Sequence, residues 1–221
     1  MLEFASSFFM QNKCYICGKN IGKEKYLCIK CYLKLDKYNI INKKVIKFEK
    51  RYGINIDYLF IFNYEKYIRK LILAYKFFDK SYLGKVFTEF IIRNKKVCEK
   101  LETYDIIIPV PMSKKSKNLR GYNQTEIITN ELSKNIGITS VSDCLIKIKQ
   151  TKKQSSLNKE ARFLNIKDAY IVNDKYKTYL KNKKIIIFDD IYTTGATINE
   201  CLELVLKYDV KEILILILAK D

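Results

Sequence analysis

The sequence predicts an α/β protein, a parallel sheet flanked by helices, with a small four-cysteine module at its amino end. Three observations carry that expectation. Short runs at 105–110 (DIIIPV), 184–189 (KIIIFD) and 212–218 (EILILIL) are apolar on both faces, as strands covered on each side must be. Amphipathic helical stretches fall between such runs, the alternation that builds a parallel sheet. Two CxxC pairs then stand together near the start of the chain. With 221 residues, 48% of them hydrophobic, the chain can form one full α/β domain plus an appendage.

The amino-terminal module spans residues 1–40. Cys14 and Cys17 form one pair, ten residues intervene, and Cys28 and Cys31 form the second. Each CxxC sets two thiolates on a tight turn, and two such knuckles face to face complete a tetrahedral S4 site of the kind that holds structural zinc. Gly18 follows the first pair, and Lys13, Lys19 and Lys30 lie near enough to temper four negative sulfurs. So small a segment cannot bury a core of its own, so metal binding would supply much of its folding free energy. A redox CxxC and an iron cluster are the alternatives. Cys98, Cys144 and Cys201 show no ligand spacing and read as buried, inert thiols.

Residues 41–56 are basic and weakly patterned, as a connection would be, and the larger domain spans 57–221. Ile68, Leu71, Ile72 and Tyr75 recur at helical spacing, as do Leu83, Val86, Phe87, Phe90 and Ile91. After the 105–110 strand come a helix over 123–135, a strand at 144–148 and the 184–189 strand. A helix with Ile198, Cys201, Leu202 and Val205 on one face precedes the closing strand. A parallel sheet binds ligands at the carboxyl ends of its strands, which points to the turns at 109–113 and 189–197. The chain's two prolines, Pro109 and Pro111, flank Val110 in the first of these. Their fixed φ angles suit a turn that presents backbone groups to a ligand, or simply a rigid strand ending.

In the second turn, Asp189 and Asp190 follow four apolar residues, so at least one carboxylate stands at the mouth of a buried strand and needs a polar partner. A furanose diol offers donors; a divalent cation is the other candidate. Thr193, Thr194, Gly195, Ala196 and Thr197 then supply hydroxyls, small side chains and a glycine just before a helix, where backbone N–H groups converge on an anion. Diol and phosphate together are the two ends of a ribose 5-phosphate. A strand followed by a helix capped by Thr194 or Thr197 would explain the loop but not two acids.

The run IIIFDDIYTTGAT closely resembles the phosphoribosyl pyrophosphate (PRPP) signature of type I phosphoribosyltransferases. Arg120-Gly121-Tyr122-Asn123-Gln124 follows PVP, then come Thr151, Gln154, Leu157, Arg162, Asn165 and Ala169-Tyr170. Taken with the cysteine knuckles, that order is similar to the ComF family of competence and amidophosphoribosyltransferase-like proteins, over nearly the whole chain. The resemblance implies that Asp189 and Asp190 contact the ribose hydroxyls and that Thr193 through Thr197 hold the 5-phosphate. It implies that the turn with Pro111, Met112 and Ser113 receives pyrophosphate with Mg2+, and that Lys114, Lys115 and Arg120 neutralise it. Lysines stand here where family members usually carry arginine, and a lysine lacks the bidentate fork. Family chemistry is displacement at the anomeric carbon. Beyond chemistry, the resemblance implies natural competence, DNA uptake and single-stranded DNA handling beside a helicase-like partner. The residues also admit a phosphoribosyl-transferring enzyme of nucleotide metabolism with an unidentified acceptor.

Net charge of +18, from 42 basic and 24 acidic residues, would attract a polyanion, or it reflects compositional habit. Tyr15, Tyr26 and Tyr32 would stack on bases or form the miniature core of the module. Residues 150–164, with Lys152, Lys153, Lys159 and Arg162, read as a hood over the site or a solvated loop. No apolar run approaches the roughly 20 residues of a membrane span, and the opening MLEFASSFFM carries Glu3 and lacks a basic leader region. Cytoplasmic location without membrane insertion is expected.

Overall fold

The structure, a computed structural model, describes residues 13–22, 26–40, 47–77, 80–151 and 159–221. Among the described residues, α-helices and strands run in the order α1 (Ile29–Asp36), β1 (Lys47–Arg51), β2 (Ile54–Asn63), α2 (Lys66–Phe77), α3 (Leu83–Ile92), α4 (Lys95–Glu102), β3 (Ile106–Pro109) and α5 (Lys114–Arg120). They continue with α6 (Gln124–Ile136), β4 (Thr139–Ser140), β5 (Leu145–Lys147), α7 (Lys159–Ile166), β6 (Tyr170–Val172), β7 (Lys184–Tyr192), α8 (Ala196–Leu206) and β8 (Glu212–Lys220). Six strands form the central sheet in the order β1-β2-β8-β7-β3-β4, parallel except for β1 at one edge.

Alternation along the strands builds two cores. Ile186 and Phe188 of β7, and Leu214, Leu216 and Leu218 of β8, pack with α2, α3, α4 and α6 on one face. Ile185 and Ile187, with Ile213, Ile215 and Ile217, pack with α8 on the other. Successive strand residues point to opposite faces, so a strand buried on both sides must be apolar throughout, which is why these runs read so clearly. The periodic residues Ile68, Leu71, Ile72 and Tyr75 are fully buried. At Gly84 α3 comes so close that an added Cβ would lie 2.9 Å from the Tyr75 hydroxyl and 2.8 Å from Ile127.

The structure departs from the sequence reading at three elements. β2 joins the parallel sheet beside β8, although its run INIDYLFIFN suggested no strand. Part of the 41–56 stretch belongs to the sheet as well: residues 47–51 form the antiparallel edge strand, and 41–46 lie outside the described residues. The strand expected at 144–148 is not in the central sheet. Its core, β5, pairs antiparallel with β6 in a separate two-stranded sheet on the α8 face. Of β5 only Leu145 is buried, and a strand carrying Lys147 and the exposed Ile148 cannot be covered on both faces.

The cysteine module packs on the helical side of the larger core. Cys14, Leu27, Cys31, Tyr32 and Leu35 are buried in the same cluster as α2 and α3. Tyr32 stacks on Phe90 with centroids 4.2 Å apart, and Tyr26 on Tyr82 at 4.8 Å. The guanidinium of Arg93 covers the outer face of Tyr32 at 4.3 Å. Tyr15 lies partly buried near Lys70. These rings form the joint between the module and the sheet domain. No helix among the described residues is long and apolar enough to cross a membrane.

Candidate functional site

Because β3 and β7 are paired neighbours running in parallel, the turns that leave them open on the same edge of the sheet. On β7 the chain stays extended through Tyr192, turns across Thr193 and Thr194, and enters α8 at Ala196. Gly195 makes that entry with φ +77°, in the left-handed region. Space reinforces the conformation: a Cβ there would fall 2.6 Å from the Tyr192 hydroxyl oxygen. Tyr192 is itself held edge-on against Phe60 at 5.5 Å and Tyr58 at 6.3 Å. An aromatic shelf therefore presses the loop close to the helix start, with the Ala196 N–H donating to Thr194 Oγ1 at 3.4 Å. Asp189, Tyr192, Thr193, Gly195, Ala196 and Thr197 line one small cleft at this point.

The paired acids separate across the sheet. Adjacent strand residues face opposite ways, so Asp189 turns toward α8 and the β5–β6 sheet, and Asp190 toward α2. Asp190 is buried and receives Lys76 Nζ at 2.8 Å, while its own N–H donates to Asp189 Oδ1 at 2.8 Å. Among the described residues Asp189 has no such direct cation. Burial first, and then the Asp190 charge, push its carboxyl up to about 7, opposed by Lys76, the Asp190 amide and Lys147. Lys147, on β5, is held by Thr151 Oγ1 at 2.9 Å above the Tyr170 ring. Burial lowers its amine, while Cys201 and Asp189 act in the opposite direction.

The RGYNQ segment meets this edge from the other side of β3. Val110, between the two prolines, donates its N–H to Phe188 of β7, and its carbonyl accepts from Thr125 Oγ1 at 2.7 Å and Asn123 Nδ2 at 3.4 Å. Tyr75 Oη donates to the Gln124 carbonyl at 2.8 Å, and Tyr122 Oη donates back to the Tyr75 carbonyl. The motif is thus a latch tying α6, the proline turn and the end of α2 together. Arg120 lies over the Phe77 ring at 5.1 Å, donates to Gln124 Oε1, and feels the charge of Asp190. Ser113 caps α5 by accepting from the Ser116 N–H at 3.2 Å.

Of the residues expected at the pyrophosphate turn, Pro111, Met112 and Ser113 lie half-buried at the shared edge, and Arg120 faces the acids. Lys114 and Lys115 are exposed on α5, and among the described residues no hydrogen bond or ion pair joins them to Asp189 or Asp190. Lys76 and Lys147 were absent from the sequence reading. Nothing in the sequence distinguishes either from the other lysines; strand pairing and helix packing bring them to the acids. Gln154, Leu157, Lys152 and Lys153 lie outside the described residues.

The Sγ atoms of Cys14, Cys17, Cys28 and Cys31 all lie within 4.8 Å of one another, and Cys17 and Cys28 are 3.7 Å apart. A tetrahedral zinc with Zn–S near 2.3 Å spaces its sulfurs by roughly 3.8 Å, so this donor set fits that ion. Against burial, N–H groups of Cys28, Cys17 and Ile16 bring the Cys14 thiol down to about 6, whereas burial and its neighbouring sulfurs push Cys31 up. Cys144 and Cys201 are buried as expected, and Cys98 is half-buried with its thiol toward the Ile92 carbonyl at 3.2 Å.

The phosphoribosyl transferase domain model matches residues 124–221. Competence protein F of Haemophilus influenzae is 29% identical over 153 residues, covering 68% of this chain and 66% of that protein. Competence protein ComFC of Streptococcus pneumoniae is 27% identical over 166 residues, 73% of this chain and 67% of the relative. By these likenesses the chain resembles the ComF proteins within the phosphoribosyl transferase superfamily. A further relative, the DNA utilization protein YhgH of Escherichia coli K12, is 21% identical over 197 residues, 88% of this chain and 84% of its own. The chain spans about two thirds of the length of the first two relatives. The domain match begins at Gln124, so the cysteine module, the proline turn and Lys76 all lie before it.

Proposed function

We propose that this ComF-like protein binds PRPP with Mg2+ at the carboxyl edge of β3 and β7 and serves natural competence, handling incoming single-stranded DNA. One observation carries the ligand: the strand-end pair Asp189 and Asp190 runs directly into a glycine-hinged loop that enters α8. The carboxylates accept from the ribose hydroxyls, and Thr193 through Thr197 cradle the 5-phosphate at the positive end of the helix. Pro111, Met112 and Ser113 receive the pyrophosphate, and Arg120 lies where it can offset the charge. Mg2+ would reach the site with the pyrophosphate, and zinc would hold the four cysteines. The biological role rests on relatives whose names speak of competence and DNA utilization. Net charge of +18 suits a partner with a phosphate backbone.

A second reading makes the protein a phosphoribosyl-transferring enzyme. What favours it is the cation pair Lys76 and Arg120 beside Asp190, which would stabilise a departing pyrophosphate. Incubation with Mg2+, PRPP and a panel of acceptors, nucleobases, amines and single-stranded DNA among them, separates the two. Pyrophosphate released from the native chain and lost in Asp190→Asn supports the enzyme; PRPP bound without release under every acceptor supports the binding module. Absence of PRPP binding in the native chain contradicts both. For DNA, affinity that falls steeply with salt and favours single strands supports the competence role, and no measurable binding at low salt contradicts it.

A further inference from the structure

Gln124 opens α6 with its side chain 2% exposed. Its Oε1 accepts from Arg120 Nη1, which fixes the orientation of the carboxamide, since the opposite one would set two donors face to face. The other end, Nε2, has no hydrogen-bond partner among the described residues. A buried amide donor is costly to leave unpaired, and in folded proteins such groups are satisfied by protein, water or ligand. Among the described residues the other buried side-chain donor without a partner, Tyr32 Oη, lies in the joint between the cysteine module and α3.

The surroundings of Gln124 say what it waits for. Arg120 stands against Phe77 and within the field of Asp190, and Lys76 from the same end of α2 pairs with Asp190. On this face of the sheet edge the Asp190 carboxylate is thus paired with the Lys76 ammonium and lies in the field of the Arg120 guanidinium, and the carboxamide that Arg120 holds adds a further donor with no partner among the described residues. The ribose hydroxyls, which are donors, find their acceptors in the acids. A surplus of donors calls for a group made of acceptors alone, and a diphosphate is such a group.

We propose that Gln124 Nε2, held in place by Arg120, is a ligand contact that takes an oxygen of the pyrophosphate group and so makes the site prefer PRPP to ribose 5-phosphate. The inference rests on the PRPP reading of the site. It adds to that reading a residue in which the RGYNQ motif serves recognition as well as the latch: the Gln124 carbonyl holds Tyr75, and its side chain serves the ligand. Arg120 positions the amide as well as contributing charge.

The test is calorimetric titration of the full-length, zinc-loaded chain with Mg2+ and either PRPP or ribose 5-phosphate, for the native protein, Gln124→Glu and Gln124→Asn. Glutamate keeps the shape and the contact with Arg120 but replaces the donor with negative charge; asparagine keeps the amide and withdraws it by one methylene. Both variants are expected to bind PRPP about tenfold or more weaker, as the loss of a charge-assisted hydrogen bond requires. Ribose 5-phosphate affinity should stay within about twofold, so the preference for PRPP collapses. Thermal unfolding identifies a variant that fails to fold, in which case the other decides. Equal weakening of both ligands, or of neither, overturns the inference while leaving the PRPP reading in place. A native chain that binds neither ligand overturns that reading and this inference with it.

Discussion

Gly195 concentrates two demands on one residue: a backbone at φ +77° and a gap in which the Tyr192 hydroxyl would lie 2.6 Å from any Cβ. Gly195→Ala should therefore lose about 1–3 kcal/mol of stability, read by urea unfolding, from left-handed strain and displacement of the Tyr192 ring. PRPP affinity should fall with it, because the shelf that presses the loop against α8 moves; an alanine variant of native stability would contradict this placement. Asp189 poses the opposite problem, a buried carboxyl the fold tolerates at a cost. Its carboxyl is raised from 3.8 to about 7, so the folded state holds the proton more tightly than the unfolded chain does. The stability this supplies is fully present below the unfolded value and is lost as pH rises through the folded one. Binding of the proposed ligand should run the other way, since the ionised carboxylate is the stronger acceptor for the ribose hydroxyls. Affinity for PRPP should rise between about pH 6 and about pH 8 while the ligand-free protein grows less stable. Asp189→Asn should flatten both profiles, and unchanged profiles in that variant would assign the titration to another group.

At the level of elements, the strands with apolar residues on both faces and the helices with four-residue periodicity were legible, because burial on two sides or one imposes those patterns directly. β2 was missed although its burial is as complete, because the preceding basic stretch masked its start; the run DYLFIF was the available signal. β5 was read as a sheet strand because a short apolar run does not say which neighbour it pairs with. The acids, the loop and the four cysteines were readable since their chemistry demands residue types at fixed spacing. Lys76 and Lys147 were not, because they reach the acids through tertiary packing alone. The latch on Val110 lies between these cases: RGYNQ was visible as a motif, and the use of its Asn123, with Thr125 just after it, to satisfy one carbonyl emerged only in three dimensions. The cysteine module makes its own prediction. The native chain should carry one zinc per molecule by elemental analysis, and the double substitution Cys14→Ser and Cys28→Ser should lose it. Because Cys14 and Cys31 are buried in the same core as Tyr32, Leu35 and α3, metal loss should also lower the unfolding midpoint of the whole protein. Native chain without stoichiometric zinc, or a double variant with the native midpoint, would contradict the assignment.

Across the whole molecule, the parts that precede the phosphoribosyl transferase match are packed against it, and two of them reach the candidate site. α2 delivers Lys76 to Asp190, the proline turn hangs from β7 through Val110, and the cysteine module packs its tyrosines against α3, whose Gly84 lets α2 and α6 close together. The order of charges follows the order of the proposed ligand: hydroxyls and amides at the α8 entrance for a monophosphate, acids at the strand end for a diol, and cations with an amide donor beyond them for a diphosphate. That a single chain of ComF type presents these in sequence along one sheet edge is the central claim. Titration of Mg2+ and PRPP into the full-length chain, native and Asp190→Asn, measures it most directly. The account predicts saturable binding at one site per chain, weakened about tenfold or more in Asp190→Asn with the unfolding midpoint retained; a native chain that does not bind PRPP, or a variant that binds it equally well, would contradict it.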